Sequence, residues 1–368
     1  TEVVIEKTCE LKQLQETPDS AEALNSIPVL KLSDLDRKNK TIPLVRFDRR
    51  GTPILFHDLF TNGIVYFDLG FDLHTLPDKY LPYVPLFGRS LVEMGTGKED
   101  FVSIMQRISR KTGGIGSVSL TSATKKSDRC TAWLFLRGKA MLSQSEDLTH
   151  ILRDILLDVQ LDNQERFRQM LLESKARTEQ KMIPSGHNMV NLRLRAHFGE
   201  SHWAAEQMSG ISYLFFLRKL VRDVDENWPH VHAVLEDIRR ILVNTNAAVL
   251  NITMEEQAWP DFEPHVEDLL DALPEAPVKK EAWTSKTAAL FEGLTIPSLV
   301  NYVGKGTDLY KLGYRFHASS LVITRYLRNA WLWDRVRVQG GAYGAFCLFD
   351  RISGALSFVC LLYTSDAA

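Results

Sequence analysis

At 368 residues, with 45% hydrophobic and 24% charged, the chain is too long for one ordinary core and long enough for two domains. A net charge of −2 leaves no electrostatic footprint for nucleic acid, and no apolar run reaches membrane-spanning length: the richest, "ISYLFFLRKLV", is interrupted by Arg218 and Lys219. Cys9, Cys130, Cys347 and Cys360 stand far apart, with no CxxC pair and no dense framework, which favours a reducing compartment.

Residues 1–39 are polar and helical in pattern, broken at Pro18 and Pro28. The period then changes to that of strands. "PLVRFDRRGTPILFHDLF" predicts two strands about a turn at Gly51. "GIVYFDLGFDL" predicts a third, with Ile64, Tyr66 and Asp68 on one face and Val65, Phe67 and Leu69 on the other. A helix follows through "YVPLFGRSLVEM", closed by Gly95 and Gly97. Another begins near Asp100, with Phe101, Ile104, Met105 and Ile108 as its apolar stripe. Two more strands, "GGIGSVSLTSAT" and "RCTAWLFLRGKA", precede a helix with Leu148, Ile151, Leu152, Ile155, Leu156 and Val159 at helical spacing. Helices from about Gln164 to Val243 turn at Pro184–Gly186 and Ser209–Gly210. A strand, "AAVLNITM", and a helix from about Pro260 to Leu273 complete an α+β domain with a mostly antiparallel sheet and helices on one face.

"LPEAPVKKEAWTS" is rich in proline and charge and reads as a boundary. After it come a strand in "IPSLVNYVGKG", a helix from about Ala318 to Arg335, a glycine turn, and a hairpin of "AYGAFCLFD" with "GALSFV". This reads as the opening of a second, truncated domain. Both ends of the sequence read as cut from something longer, and the last residues, "CLLYTSDAA", break the strand pattern.

A search for complete chemistry finds little. No HExxH or HxxEH occurs. "HFGESH" gathers His197, Glu200 and His202, but Gly199 interrupts the helix and the spacing fits neither zinc signature. His230 and His232, two apart on a helix, point to different sides and read as a solvated flank. "MGTGKED" and "VGKGTDL" lack the earlier glycine of a phosphate loop and read as turns. The segment "RVQGGAYGAF" stands out. It sets Arg337 and Tyr343 on either side of Gly340 and Gly341. Paired glycines allow unusual backbone angles and close approach, while the guanidinium and phenol are hydrogen-bond donors. A plain hairpin turn accounts for the same residues.

"LWDRVRVQGGAYGAFCLFD", "SGHNMVNLRLRAHFGESHWAAEQMSGISYLFFL", "TIPSLVNYVGKG" and "IPVLKLSDLDRKNK" together resemble the carboxyl half of the presequence proteases, zinc metallopeptidases of the pitrilysin or insulinase class. The resemblance runs from near the start to about Phe358. It implies two pairs of homologous α+β domains closing around a chamber for unfolded peptides. Residues 1–39 would be the end of the helical linker, 40–275 the third domain, 285–359 a truncated fourth, and 360–368 a non-native tail. The zinc would be held by HxxEH in the absent amino-terminal half, and none by this chain. Arg337 and Tyr343 would be the catalytic donors facing that zinc, and with Gly340 and Gly341 would bind the substrate backbone. The implied substrates are short unstructured peptides such as cleaved targeting presequences. The implied partner is the amino-terminal half of the same protein, in a monomer of the mitochondrial matrix or plastid stroma. A non-catalytic binding or assembly subunit of the same fold is the alternative, and an unrelated binding module a third.

Overall fold

The computed structural model describes residues 2–125, 127–284 and 289–363. Its backbone divides into two units, Thr1–Ile42 and Pro43–Ala368. The first unit holds α1 (Glu2–Glu16), α2 (Ala21–Ser26) and a short 3₁₀ turn. Ser20 caps α2 by accepting the Ala23 N–H at 3.1 Å. Every described residue of this unit is exposed, so its helices draw on local propensity and caps rather than on a core.

The second unit begins with a hairpin. β1 (Val45–Arg49) and β2 (Thr52–Asp58) are joined by Arg50 and Gly51, at φ of 50° and 76°. Two successive left-handed residues match the right-handed twist of the flanking strands in a two-residue turn. β3 (Ile64–Asp72) alternates as its sequence predicts: Val65, Phe67 and Leu69 are buried and Tyr66 is exposed. α3 (Val84–Glu93) and α4 (Phe101–Lys111) follow, α4 capped by Asp100 accepting the Ser103 N–H at 2.8 Å. Ile104 and Ile108 of α4 are buried, but Met105 is 45% exposed. The helix rests along one i, i+4 line, narrower than the stripe expected from its sequence.

β4 (Ile115–Thr124) and β5 (Ser127–Met141) lead into α5 (Ser145–Leu157), whose Leu148, Ile151, Leu152, Ile155 and Leu156 are all buried. Five helices follow: α6 (Gln164–Met182), α7 (Gly186–Arg195), α8 (Glu200–Ser209), α9 (Ile211–Glu226) and α10 (Trp228–Leu242). β6 (Ala248–Met254) and α11 (Trp259–Ala272) complete the run. The six-stranded sheet has the order β1-β2-β6-β3-β5-β4, antiparallel throughout except for the parallel pair β2–β6. The chain is thus α+β with a mostly antiparallel sheet. One apolar cluster, from Ile54 to Trp283, fills it.

A second, three-stranded antiparallel sheet has the order β7-β9-β8, from β7 (Val300–Asp308), β8 (Gly344–Phe349) and β9 (Ala355–Tyr363). The stretch "VGKG", read as the end of a strand in "IPSLVNYVGKG" and as a turn in "VGKGTDL", lies inside β7. Its glycines serve packing instead: a Cβ on Gly304 would run into Val190 of α7, and one on Gly306 would sit 3.0 Å from Leu194. Bare strand backbone lets α7 lie close against this sheet. Between β7 and β8, α12 (Ser319–Tyr326) widens into π-type helix over Leu327–Trp331 and Trp333–Val338. β9 continues past Phe358, pairing Cys360 with Val303 and Tyr363 with Val300. The remainder of the expected tail, 364–368, lies outside the described residues.

Candidate functional site

The π-type helix ends at the segment singled out in the sequence. Gln339 N–H donates to Asp334 O at 3.0 Å, Gly341 N–H to Arg337 O at 3.1 Å, and Ala342 N–H to Val336 O at 3.1 Å. Gly341 takes φ of 70°, the left-handed closure that favours glycine at a helix end. Gly340 is needed for a different reason. A Cβ there would sit 2.7 Å from the Val336 carbonyl oxygen. Both glycines therefore have a backbone cause in closing the helix. The next residue pair fixes the exit: Ala342 is buried, and Tyr343 N–H donates to Leu361 O of β9 at 3.0 Å.

This closure brings Arg337 and Tyr343 together. The Arg337 guanidinium carbon lies 3.9 Å from the centroid of the Trp333 ring and 5.8 Å from that of Tyr343. Stacking on the indole restrains an otherwise mobile cation. Arg337 is half-buried and Tyr343 is 57% exposed. The segment thus sets a guanidinium and a phenol side by side on residues that are not buried. Neither is among the His, Cys and carboxylate ligands that zinc usually takes, and the sequence holds no HxxEH. The turn does not fit a metal.

"HFGESH" does not gather into one site. His202 lies 2.9 Å from Ser353 Oγ and 3.2 Å from Arg195 Nη2, and Arg195 in turn donates to Asp350 at 2.7 Å. These contacts join the α7–α8 corner to the loop between β8 and β9. Burial, with Arg195 adding to it and Asp350 opposing, pushes His202 down to about 4. Glu200 turns the other way, to 3.9 Å from His74 Nε2. His230 is exposed and His232 half-exposed beside Glu236, as expected of a solvated flank. What the sequence reading missed is the approach of Glu200 to His74 and Cys130, residues 126 and 70 positions away. No local spacing could have signalled it.

The architecture is that of pitrilysin-type M16 peptidase domains. A conserved protein from Enterococcus faecalis V583 shares the fold at a TM-score of 0.58 and 12% identity, over 87% of this chain and 75% of that one. A "peptidase M16 inactive domain" from Pseudomonas fluorescens does so at 0.56 and 15% identity, over 88% and 75%. The chain belongs to the family of domains associated with peptidase M16, subfamily C, whose profile matches residues 1–220, and residues 291–364 match the PreP C-terminal domain. "Presequence protease 1, chloroplastic/mitochondrial" of Arabidopsis thaliana is 42% identical over 353 residues, covering 96% of this chain and 33% of that protein. "Protein HypA" of Clostridium perfringens is 29% identical over 96% of this chain and 36% of its own length. The chain spans about a third of the length of these relatives.

Proposed function

We propose that this chain is the carboxyl-terminal part of a zinc metalloendopeptidase that degrades short unstructured peptides, cleaved organelle-targeting presequences among them. The observation that carries this reading is the Arg337–Tyr343 pair, 5.8 Å from guanidinium carbon to ring centroid, on a chain 42% identical to a presequence protease across 96% of its length. The π-type helix that delivers Arg337 supports it, since π turns inside helices are rare and frequent at functional sites. In this reading, residues 1–39 end a helical linker, 40–275 form the third domain, and 285–359 open a fourth. The hydrolytic zinc belongs to the amino-terminal half, and this chain holds none of it.

The chain's own part is electrostatic. Attack of water on a peptide carbonyl builds negative charge on the oxygen, and pre-placed donors lower the barrier because they need not reorganise. Arg337, held against Trp333, and Tyr343, anchored to β9, supply two such donors and also pair with the substrate backbone. Gly340 and Gly341 leave no side chain between them and the peptide. The relatives' names place those proteins in mitochondria and chloroplasts, and we assign this protein to the same organelles, as a monomer that admits unfolded chains.

The test is Tyr343→Phe in the longer protein. We expect turnover to fall by ~10²-fold or more, the usual effect of losing one transition-state donor, with bound zinc and melting temperature unchanged. Unchanged turnover, or equal loss of zinc and activity, rejects the donor role.

A further inference from the structure

Away from the glycine turn, three side chains of different elements converge. His74 lies in the short 3₁₀ turn after β3, Cys130 in β5, and Glu200 is the first residue of α8. His74 Nε2 is 3.4 Å from Cys130 Sγ and 3.9 Å from a Glu200 carboxylate oxygen. The three donor atoms all lie within 4.8 Å of one another. A tetrahedral zinc ion with ordinary bond lengths holds its nitrogen, sulfur and oxygen ligands about 3.4–3.6 Å apart. The edge from His74 to Cys130 already has that length, and the edge from His74 to the carboxylate is about half an ångström longer.

The surroundings are those of a metal ligand. His74 Nδ1 is 3.1 Å from Asp72 Oδ1, whose other oxygen pairs with Lys280 Nζ at 2.8 Å. The His74 ring stacks on Trp283 with centroids 4.2 Å apart. An ionised carboxylate on Nδ1 keeps the proton there and turns the Nε2 lone pair toward Cys130 and Glu200, the carboxylate–histidine arrangement that orients metal-bound imidazoles.

We propose that His74 Nε2, Cys130 Sγ and Glu200 form a binding site for a thiophilic divalent cation, zinc foremost. Among the described residues no lysine or arginine pairs with Glu200, which stands half-exposed at the start of α8. A cation supplies the missing positive charge and displaces the thiol proton to solvent on binding. The fourth position is open to water. The ion would tie β3, β5 and α8 at one point, and binding to the folded state alone raises its stability.

The test uses the 368-residue chain, stripped with chelator and titrated with Co²⁺ and then Zn²⁺. We expect a near-ultraviolet thiolate-to-cobalt charge-transfer band that saturates at one equivalent and is abolished by Zn²⁺. The band should be absent in Cys130→Ser, and Co²⁺ should bind at least tenfold more weakly to Glu200→Gln. Zn²⁺ should raise the melting temperature of the parent chain and not that of Cys130→Ser. Glu200→Gln, half-exposed at a helix start, serves if Cys130→Ser loses its helical circular dichroism. No band in the parent chain overturns the proposal. So does a band that persists in Cys130→Ser, which would put the ion on another cysteine, or undiminished binding to Glu200→Gln.

Discussion

The two sheets of this protein are built on unequal terms. The six-stranded sheet buries Ile54, Phe67, Leu69, Leu136, Leu250 and Ile252 almost completely, in a cluster that runs on through α5, α9 and α10. The three-stranded sheet contributes no residue to that cluster. Its own buried apolar side chains include Cys347, Ala355 and Val359, and α12 beside it buries none. It packs on Val190 and Leu194 of α7 through its strand glycines and is joined to α7 and the α7–α8 corner by polar contacts: Ser357 Oγ to Asn191 Oδ1 at 2.6 Å, Arg195 to Asp350, and His202 to Ser353. Exposed Leu321, Val322, Tyr326, Trp331 and Trp333 lie along its helix, and β7 and β8 are edge strands of its sheet. The first sheet has what it needs to fold. The second carries the guanidinium–phenol pair on a surface that would gain most from being covered.

The largest effect should come from the first core. Phe67→Ala deletes a fully buried ring packed edge-on against Phe262, and should cost about 4 kcal/mol in a urea titration. A comparable loss from Val359→Ala in the second sheet would break the comparison. Next is Arg193→Met. Glu206 is wholly buried and receives Arg193 Nη1 at 3.1 Å, and Arg193 also grips Glu292 through two bonds. Removing the cation leaves a buried carboxylate short of its partner, for a loss of about 3 kcal/mol by the same titration.

The joint between the sheets should be sensitive to acid. The folded state holds His202 at about 4, against 6.5 unfolded, so the unfolded chain binds more protons between those values. Stability is full above pH 6.5, falls as pH drops through that window, and levels off for this group below about 4. The total is up to roughly 3 kcal/mol. His202→Gln should flatten the melting-temperature profile between pH 6.5 and 4, and an unaltered slope there would remove His202 from the account. The smallest effect is at the glycine turn. Gly341→Ala forces a side chain into the left-handed region and should cost about 1–2 kcal/mol by thermal melt.

Much of the first sheet was legible in advance. Period-two alternation at Val65, Phe67 and Leu69, the Arg50–Gly51 turn and the helical spacing of Leu148 to Leu156 are local signals, and each element forms where its pattern stands. The failures were also local. "VGKG" carried two readings, strand end and turn, and only the strand one holds: in β7 its glycines mark the close approach of α7, a neighbour over a hundred residues away. The helix expected to end at Arg335 runs on to Val338 in π form, because its hydrogen bonds close against the Gly340–Gly341 turn.

By itself the sequence determined the elements, their order, the capped and glycine-closed ends, and the pairing of Arg337 with Tyr343 in one short segment, since these depend on residues a few positions apart. Only the tertiary structure decided that "HFGESH" splits, with His202 going to the joint at Ser353 and Glu200 to His74 and Cys130. Side chains far apart in the chain meet through the packing of α8 on β5, and no spacing along the sequence encodes that distance.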